Sequence, residues 1–146
     1  MSNIEKIHNR IHNIRLFVFF TWGMRILLFL AFLPSGLKKV LGERFTILGI
    51  DTPVGFFFEG LFSTGFYWNF LGFMQLLVGI LLLIPRTAFF GAILYLPIII
   101  NIFIIVVSMN FKGTPIIAGL MLLANLYLLF WDYEKLKQIV SIIFGR

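Results

Sequence analysis

Residues 88–109 read AFFGAILYLPIIINIFIIVVSM, and none of them carries a charge. A helix rises about 1.5 Å per residue, and about 20 predominantly apolar residues cover the ~30 Å hydrocarbon core of a bilayer. In lipid every backbone N–H and C=O must be satisfied inside the segment, so the run is predicted to be a transmembrane helix. The same pattern recurs on both sides. Pro85-Arg86-Thr87 is a very tight turn that sets residues 68–84 antiparallel to 88–109. Downstream, Gly113-Thr114-Pro115 reads as a turn, an N-cap and a first-position proline for a span over 115–131. A fourth run covers 16–37. The expectation is an all-α integral membrane four-helix bundle forming a single domain over 1–146.

Composition agrees. Hydrophobic residues make up 60% of the 146-residue chain and charged residues 12%, against about 45–50% and about 25% in soluble domains. So much apolar surface cannot be hidden in a soluble fold of this size, and lipid is the missing solvent. Aromatics reach 18%, including 19 Phe, which suits lipid-facing surfaces and interfacial anchoring; Trp68 and Trp131 fall at predicted interfaces. Cysteine is absent, which excludes a disulfide framework, a thiol relay, a Cys-type zinc site and Cys-ligated clusters. The net charge of +6 points to anionic lipid headgroups. The basic residues sit in short flanks rather than on one extended face, which argues against nucleic acid.

The flanks carry their own patterns. Ile4, Ile7, Ile11 and Ile14 form a one-stripe amphipathic helix with Lys6, Arg10 and Arg15 off the stripe, as an interfacial helix on an anionic surface would. A cleavable signal peptide fits less well, because the following apolar run is too long and lacks a small-residue cleavage site. Residues 133–146 read as a second interfacial helix, with Leu136, Val140 and Ile143 facing lipid. The 38–67 connection is long, and Thr52-Pro53 marks a further N-cap and first-turn proline. A short helix bearing Phe56, Phe57, Phe58, Leu61 and Phe62 is expected to contact the bundle or the interface. One side collects Lys6, Arg10, Arg15, Arg86, Lys135, Lys137 and Arg146, the other Lys38, Lys39, Arg44 and Lys112. This bias predicts cytoplasmic termini.

Four strong polar groups interrupt the spans: Arg25, Gln75, Asn101 and Asn125. Measured from the cytoplasmic flanks they fall about 15, 16, 22 and 10 Å deep. A central Arg costs about 2.5–3.5 kcal/mol on insertion scales, so burial beside acceptors is expected, and the three amides each offer a carbonyl oxygen. Pro34 and Pro97 release the Leu30 and Ile93 carbonyls as further acceptors. Trp22, Arg25, Phe29, Phe32 and Gly36 share one face of the first span; Gly72, Gln75, Gly79 and Arg86 share one face of the second. Glycines there allow close helix approach. Two readings follow: structural glue, or a ligand pocket anchored by Arg25. His8 and His12, four residues apart in the N-terminal flank, are read as exposed helix histidines and not as metal ligands. Bis-His haem within the membrane is excluded, and no Asp or Glu falls inside a span, which argues against carboxylate-based proton coupling.

The series Arg25…Gly36…Lys39, with a glycine eleven residues after the arginine and a lysine fourteen after it, resembles the first helix of the DoxX family. Gln75-Leu-Leu-Val-Gly79…Pro85-Arg86-Thr87-Ala88 resembles that family's second helix and its Arg-Thr turn. The likeness covers about residues 20–132. It departs at Gln75, where the family often carries Glu, so an acid–base role at that position lacks its carboxyl here. The resemblance implies a four-helix bundle in the bacterial inner membrane, and a subunit associated with a quinone-linked oxidoreductase system. The implied site holds quinone or a similar amphipathic molecule through Arg25, Gln75, Asn101, Asn125 and Lys39, with Trp22 and Phe29 packing the ring and tail. No covalent cofactor, metal or catalytic residue is assigned, and redox chemistry would belong to the bound molecule or a partner subunit. The alternatives are a non-catalytic scaffold or assembly subunit of a larger membrane complex, and a small transporter.

Overall fold

The computed structural model describes residues 3–145; Arg146, counted above on the cytoplasmic side, lies outside them. Seven helices occur among the described residues: α1 (Asn3–His12), α2 (Arg15–Val40), α3 (Pro53–Ser63), α4 (Phe66–Leu83), α5 (Ala88–Ser108), α6 (Thr114–Trp131) and α7 (Tyr133–Phe144). Four of them, α2, α4, α5 and α6, are long and apolar enough to cross a membrane, and the chain is a multi-pass membrane protein. The 26 residues of α2 amount to about 39 Å, more than the hydrocarbon thickness, so α2 tilts or protrudes.

The spans pack in a ring, α2 on α4, α4 on α5, α5 on α6, and α6 back on α2. The α2–α4 seam is the most intimate, and its spacing explains why. Thr21, Arg25, Leu28, Phe32, Gly36 and Lys39 are buried on α2, and Trp68, Gly72, Gln75, Gly79 and Leu82 on α4. Both series repeat at three and four residues, the period of a left-handed helix pair. At Gly72 a Cβ would sit 2.5 Å from Lys39 Cβ and 2.7 Å from the Gly36 carbonyl oxygen; at Gly79 it would meet the Phe29 ring at 2.9 Å. The backbones touch where side chains would otherwise hold them apart. Gly91 does the same between α5 and α4, 2.9 Å from Leu81 Cβ. Leu28, Phe32, Val78, Leu82, Tyr95, Ile99 and Leu128 fill the centre of the ring.

Local chemistry sets the ends. Thr52 caps α3, its Oγ1 accepting from the Gly55 N–H at 3.0 Å, with Pro53 in the first turn. The start of α6 differs from the expectation. Gly113, at φ +77°, takes the N-cap and Thr114 is already helical, without a side-chain cap; glycine alone enters that left-handed region freely. In the α4–α5 turn Thr87 Oγ1 donates to the Leu81 carbonyl at 3.0 Å. Loop 41–52 is tied to α3 by a two-point bond from Arg44 to Glu59, at 2.8 and 2.9 Å, and by Phe45 against Phe58. The hydrogen bond from Arg44 holds the Glu59 carboxyl below the usual carboxylate range. The tie is therefore complete above that range and is lost as the pH falls through the lowered value.

Both terminal helices fold back on the same end of the bundle, joined by Lys137 donating to Glu5 at 2.5 Å. Leu136 and the two histidines depart from the faces expected of them. Leu136 turns inward and packs on the core, while Val140 and Ile143 are exposed. On α1 the isoleucine stripe is outward, with Ile4 and Ile7 exposed, and the histidines are half-buried against the bundle.

Opposite effects are expected from one substitution at two glycines. Gly72→Ala destabilises, within the range of about 1–3 kcal/mol typical of overpacking. Gly23→Ala, where a Cβ meets nothing within 4 Å, stabilises by about 0.5–1 kcal/mol. Denaturant titration of the purified variants in micelles measures both.

Candidate functional site

The polar groups of the spans do not converge on one central pocket. They sort into two clusters at opposite ends, with the apolar core between.

At the end away from the termini, Lys39 is buried in the last turn of α2. Its Nζ donates to the Ser35 carbonyl at 3.3 Å and to Ser35 Oγ at 2.5 Å, and Ser35 Oγ donates on to Gln75 Oε1 at 3.4 Å. The ammonium lies 5.0 Å from the centre of the Phe45 ring and 5.1 Å from that of Trp68, close enough for cation–π attraction. Trp68, expected at the interface, is completely enclosed there and donates to the Glu43 carbonyl at 3.0 Å.

At the terminal end, Arg25 is 8% exposed. Its guanidinium makes no hydrogen bond to any described residue, and its Nε is enclosed without a partner. It stands 5.4 Å from the ring of Trp22, which is itself exposed on the outer surface of α2. Asp132, just past α6, is the acidic group whose field reaches it. One turn below, Thr21 gives its proton to the Phe17 carbonyl at 2.8 Å. The 2.9 Å contact with Tyr127 therefore has the tyrosine as donor. Asn125 is fully buried, donates to the Ala92 carbonyl at 3.0 Å, and leaves its Oδ1 unpaired. Counted from the Thr21–Tyr127 bond, Arg25 lies about 6 Å and Asn125 about 3 Å further into the bundle. The enclosed unpaired donor and the enclosed unpaired acceptor thus occupy neighbouring layers.

Three expectations are corrected. Gln75 does not share the depth of Arg25. It faces Ser35, ten residues or about 15 Å along α2, because the glycine contacts fix where α4 sits against α2. Asn101 is exposed; the buried stripe of α5 runs through Ala88, Ala92, Tyr95, Ile99 and Val106, and position 101 falls off it. The proline-released carbonyls of Leu30 and Ile93 take no side-chain donor from any described residue; in the core the Leu28 carbonyl accepts from the Tyr95 hydroxyl at 3.3 Å and that of Ala92 from Asn125. Phe29 is half-buried and packs on Gly79. A small cleft beside α3 is lined by Arg44, Phe45, Leu48, Gly55, Phe58 and Glu59, and an open groove by Glu134, Lys137, Gln138 and Ser141. Neither includes Arg25, Gln75 or Asn125.

The histidines have a role that their spacing alone did not reveal. His8 and His12 both reach the Trp131 carbonyl oxygen through Nε2, at 2.9 and 2.7 Å, and His12 stacks on the Trp131 ring at 3.8 Å. A carbonyl only accepts, so both rings carry their proton on Nε2. Trp131 ends α6, and its carbonyl is one of those a helix terminus leaves without an intrahelical donor. No group of three or more metal-ligating side chains occurs among the described residues. Either His8→Ala or His12→Ala leaves the carbonyl one donor, whereas the double variant strands it. Each single change is expected to cost about 0.5–1.5 kcal/mol, and the double to exceed their sum by at least about 0.5 kcal/mol. Unfolding titrations of the three variants test this, and simple additivity would show two independent bonds.

No family model and no solved structure matches the chain. It is similar to YwoB of Bacillus subtilis (strain 168), described as an uncharacterized protein, with 38% identity over 73 residues, 50% of this chain. The chain's match spans about half the length of that curated relative, 47%.

Proposed function

We propose that this chain is a DoxX-like protein of the bacterial inner membrane, a membrane subunit working with a quinone-linked oxidoreductase system and holding a quinone headgroup at Arg25. The single observation that carries this reading is the buried guanidinium without a hydrogen bond. A permanent charge enclosed without acceptors is costly, and a quinone carbonyl is an acceptor that arrives from the lipid phase. Asn125 Oδ1 in the neighbouring layer would accept from the hydroxyl of the reduced form. Exposed Trp22 offers a ring surface to a molecule entering sideways from the bilayer, which fits a bundle whose centre is filled. Arg25 and Asn125 orient the headgroup; the electrons belong to the bound molecule and a partner subunit. The filled core favours a second reading, a non-catalytic assembly subunit, in which Arg25 meets a partner chain.

Extraction of the purified protein and mass spectrometry are expected to find co-purified quinone. Arg25→Gln should stay folded and bind quinone more weakly by about 1.5–3 kcal/mol, the range of a charge-assisted bond. A folded Gln variant with undiminished quinone content would leave the assembly reading.

The same proposal places both termini in the cytoplasm, with α1 and α7 lying in the interface on their exposed Ile4, Ile7, Ile142 and Ile143. The chain has no native cysteine, so single cysteines report sidedness cleanly. Asp51→Cys and Lys112→Cys should react with impermeant reagent from outside the cell, and Arg86→Cys only after permeabilisation; the reverse pattern would invert the assignment.

A further inference from the structure

Asn101 stands on the outward face of α5, 13 residues from Ala88 and seven from Ser108. That is about 20 Å and about 10 Å from the helix ends, inside the hydrocarbon layer. Its side chain is exposed and makes no hydrogen bond to any described residue. An amide on so short a stem cannot reach either headgroup region. Lipid offers it neither donor nor acceptor.

The residues around it are ordered. Phe90, Leu94, Pro97, Asn101, Ile104 and Ser108 recur at alternating intervals of four and three, and all but half-buried Leu94 are exposed. This is the spacing at which two helices pack along a seam, with one polar residue inside it. A lone asparagine in such a seam fixes register and partner number. We propose that this face of α5 is the contact between two copies of this chain, related by a two-fold axis along the membrane normal, with Asn101 bonded to Asn101 of the second copy. Two features select a second copy over another protein. The amide is donor and acceptor at once, so it complements itself. Two copies inserted the same way bring their Asn101 groups to the same depth automatically, whereas a different partner needs its own polar group there. The contact is separate from the Arg25 site and does not depend on it.

Cysteine crosslinking in native membranes tests the contact. In the cysteine-free chain, Ile104→Cys should form a disulfide-linked dimer on mild oxidation, whereas Leu123→Cys, equally exposed on α6, should not. In micelles, energy transfer between labelled copies should show a monomer–dimer equilibrium. Asn101→Leu should weaken it about threefold to twentyfold, the effect of one interhelical bond in lipid. Thermal unfolding of the monomer should be unchanged, because Asn101 bonds nothing within it. Equal crosslinking at positions 104 and 123, a chain that stays monomeric at all concentrations, or an Asn101→Leu variant that associates like the parent would each overturn the proposal.

Discussion

The close approach of α2 and α4 is the contact on which the remaining architecture depends. Gly36, Gly72 and Gly79 remove the side chains that would separate the two backbones, and the missing volume is occupied by Lys39 Cβ, Leu76 and Phe29. In lipid there is no hydrophobic force pulling helices together, so packing of this kind and interhelical hydrogen bonds carry association. The same contact fixes the axial offset of the two helices. Once Gly72 lies beside Lys39, Gln75 must lie beside Ser35, and the end of α4 falls short of the beginning of α2. The lower part of α2 then faces α6, where Thr21 meets Tyr127.

That offset divides the polar groups. One cluster, Lys39, Ser35 and Gln75, is internally bonded and covered by the aromatic rings of Trp68 and Phe45. The other, near the termini, keeps an unpaired donor on Arg25 and an unpaired acceptor on Asn125. Buried polar groups in folded proteins are nearly always paired. The unmet hydrogen-bonding capacity of the buried side chains in these two clusters is therefore concentrated at the terminal end. The histidine pair and the Lys137–Glu5 bond brace α1 and α7 against that same end, so both terminal helices are fastened beside the incomplete cluster.

The sequence by itself determined the class, the four spans and, except at Thr114, the chemistry of the turns. Transfer of an apolar side chain into lipid is a property of that side chain, and twenty in a row suffice whatever surrounds them. Thr52-Pro53 starts a helix through bonds that reach only three residues, and Pro85-Arg86-Thr87 reverses the chain for equally local reasons. The glycines of α4 that face α2, Gly72 and Gly79, were also legible, since residues seven apart share a helix face. The partner of each polar side chain was decided only by the tertiary structure. Depth counted from a charged flank treats every helix as starting at the same level, and here they do not. It put Arg25 level with Gln75, although the α2–α4 contact separates them by about 15 Å. It gave Asn101 an inward aspect that a one-position difference from the Tyr95–Ile99 stripe removes. It left His8 and His12 without a role, because the carbonyl they cap lies 123 and 119 residues away in the chain, respectively. Side-chain pairing across helices depends on offset and rotation between rigid rods. Those are fixed by the summed fit of many backbone and side-chain contacts, which no single stretch of sequence contains.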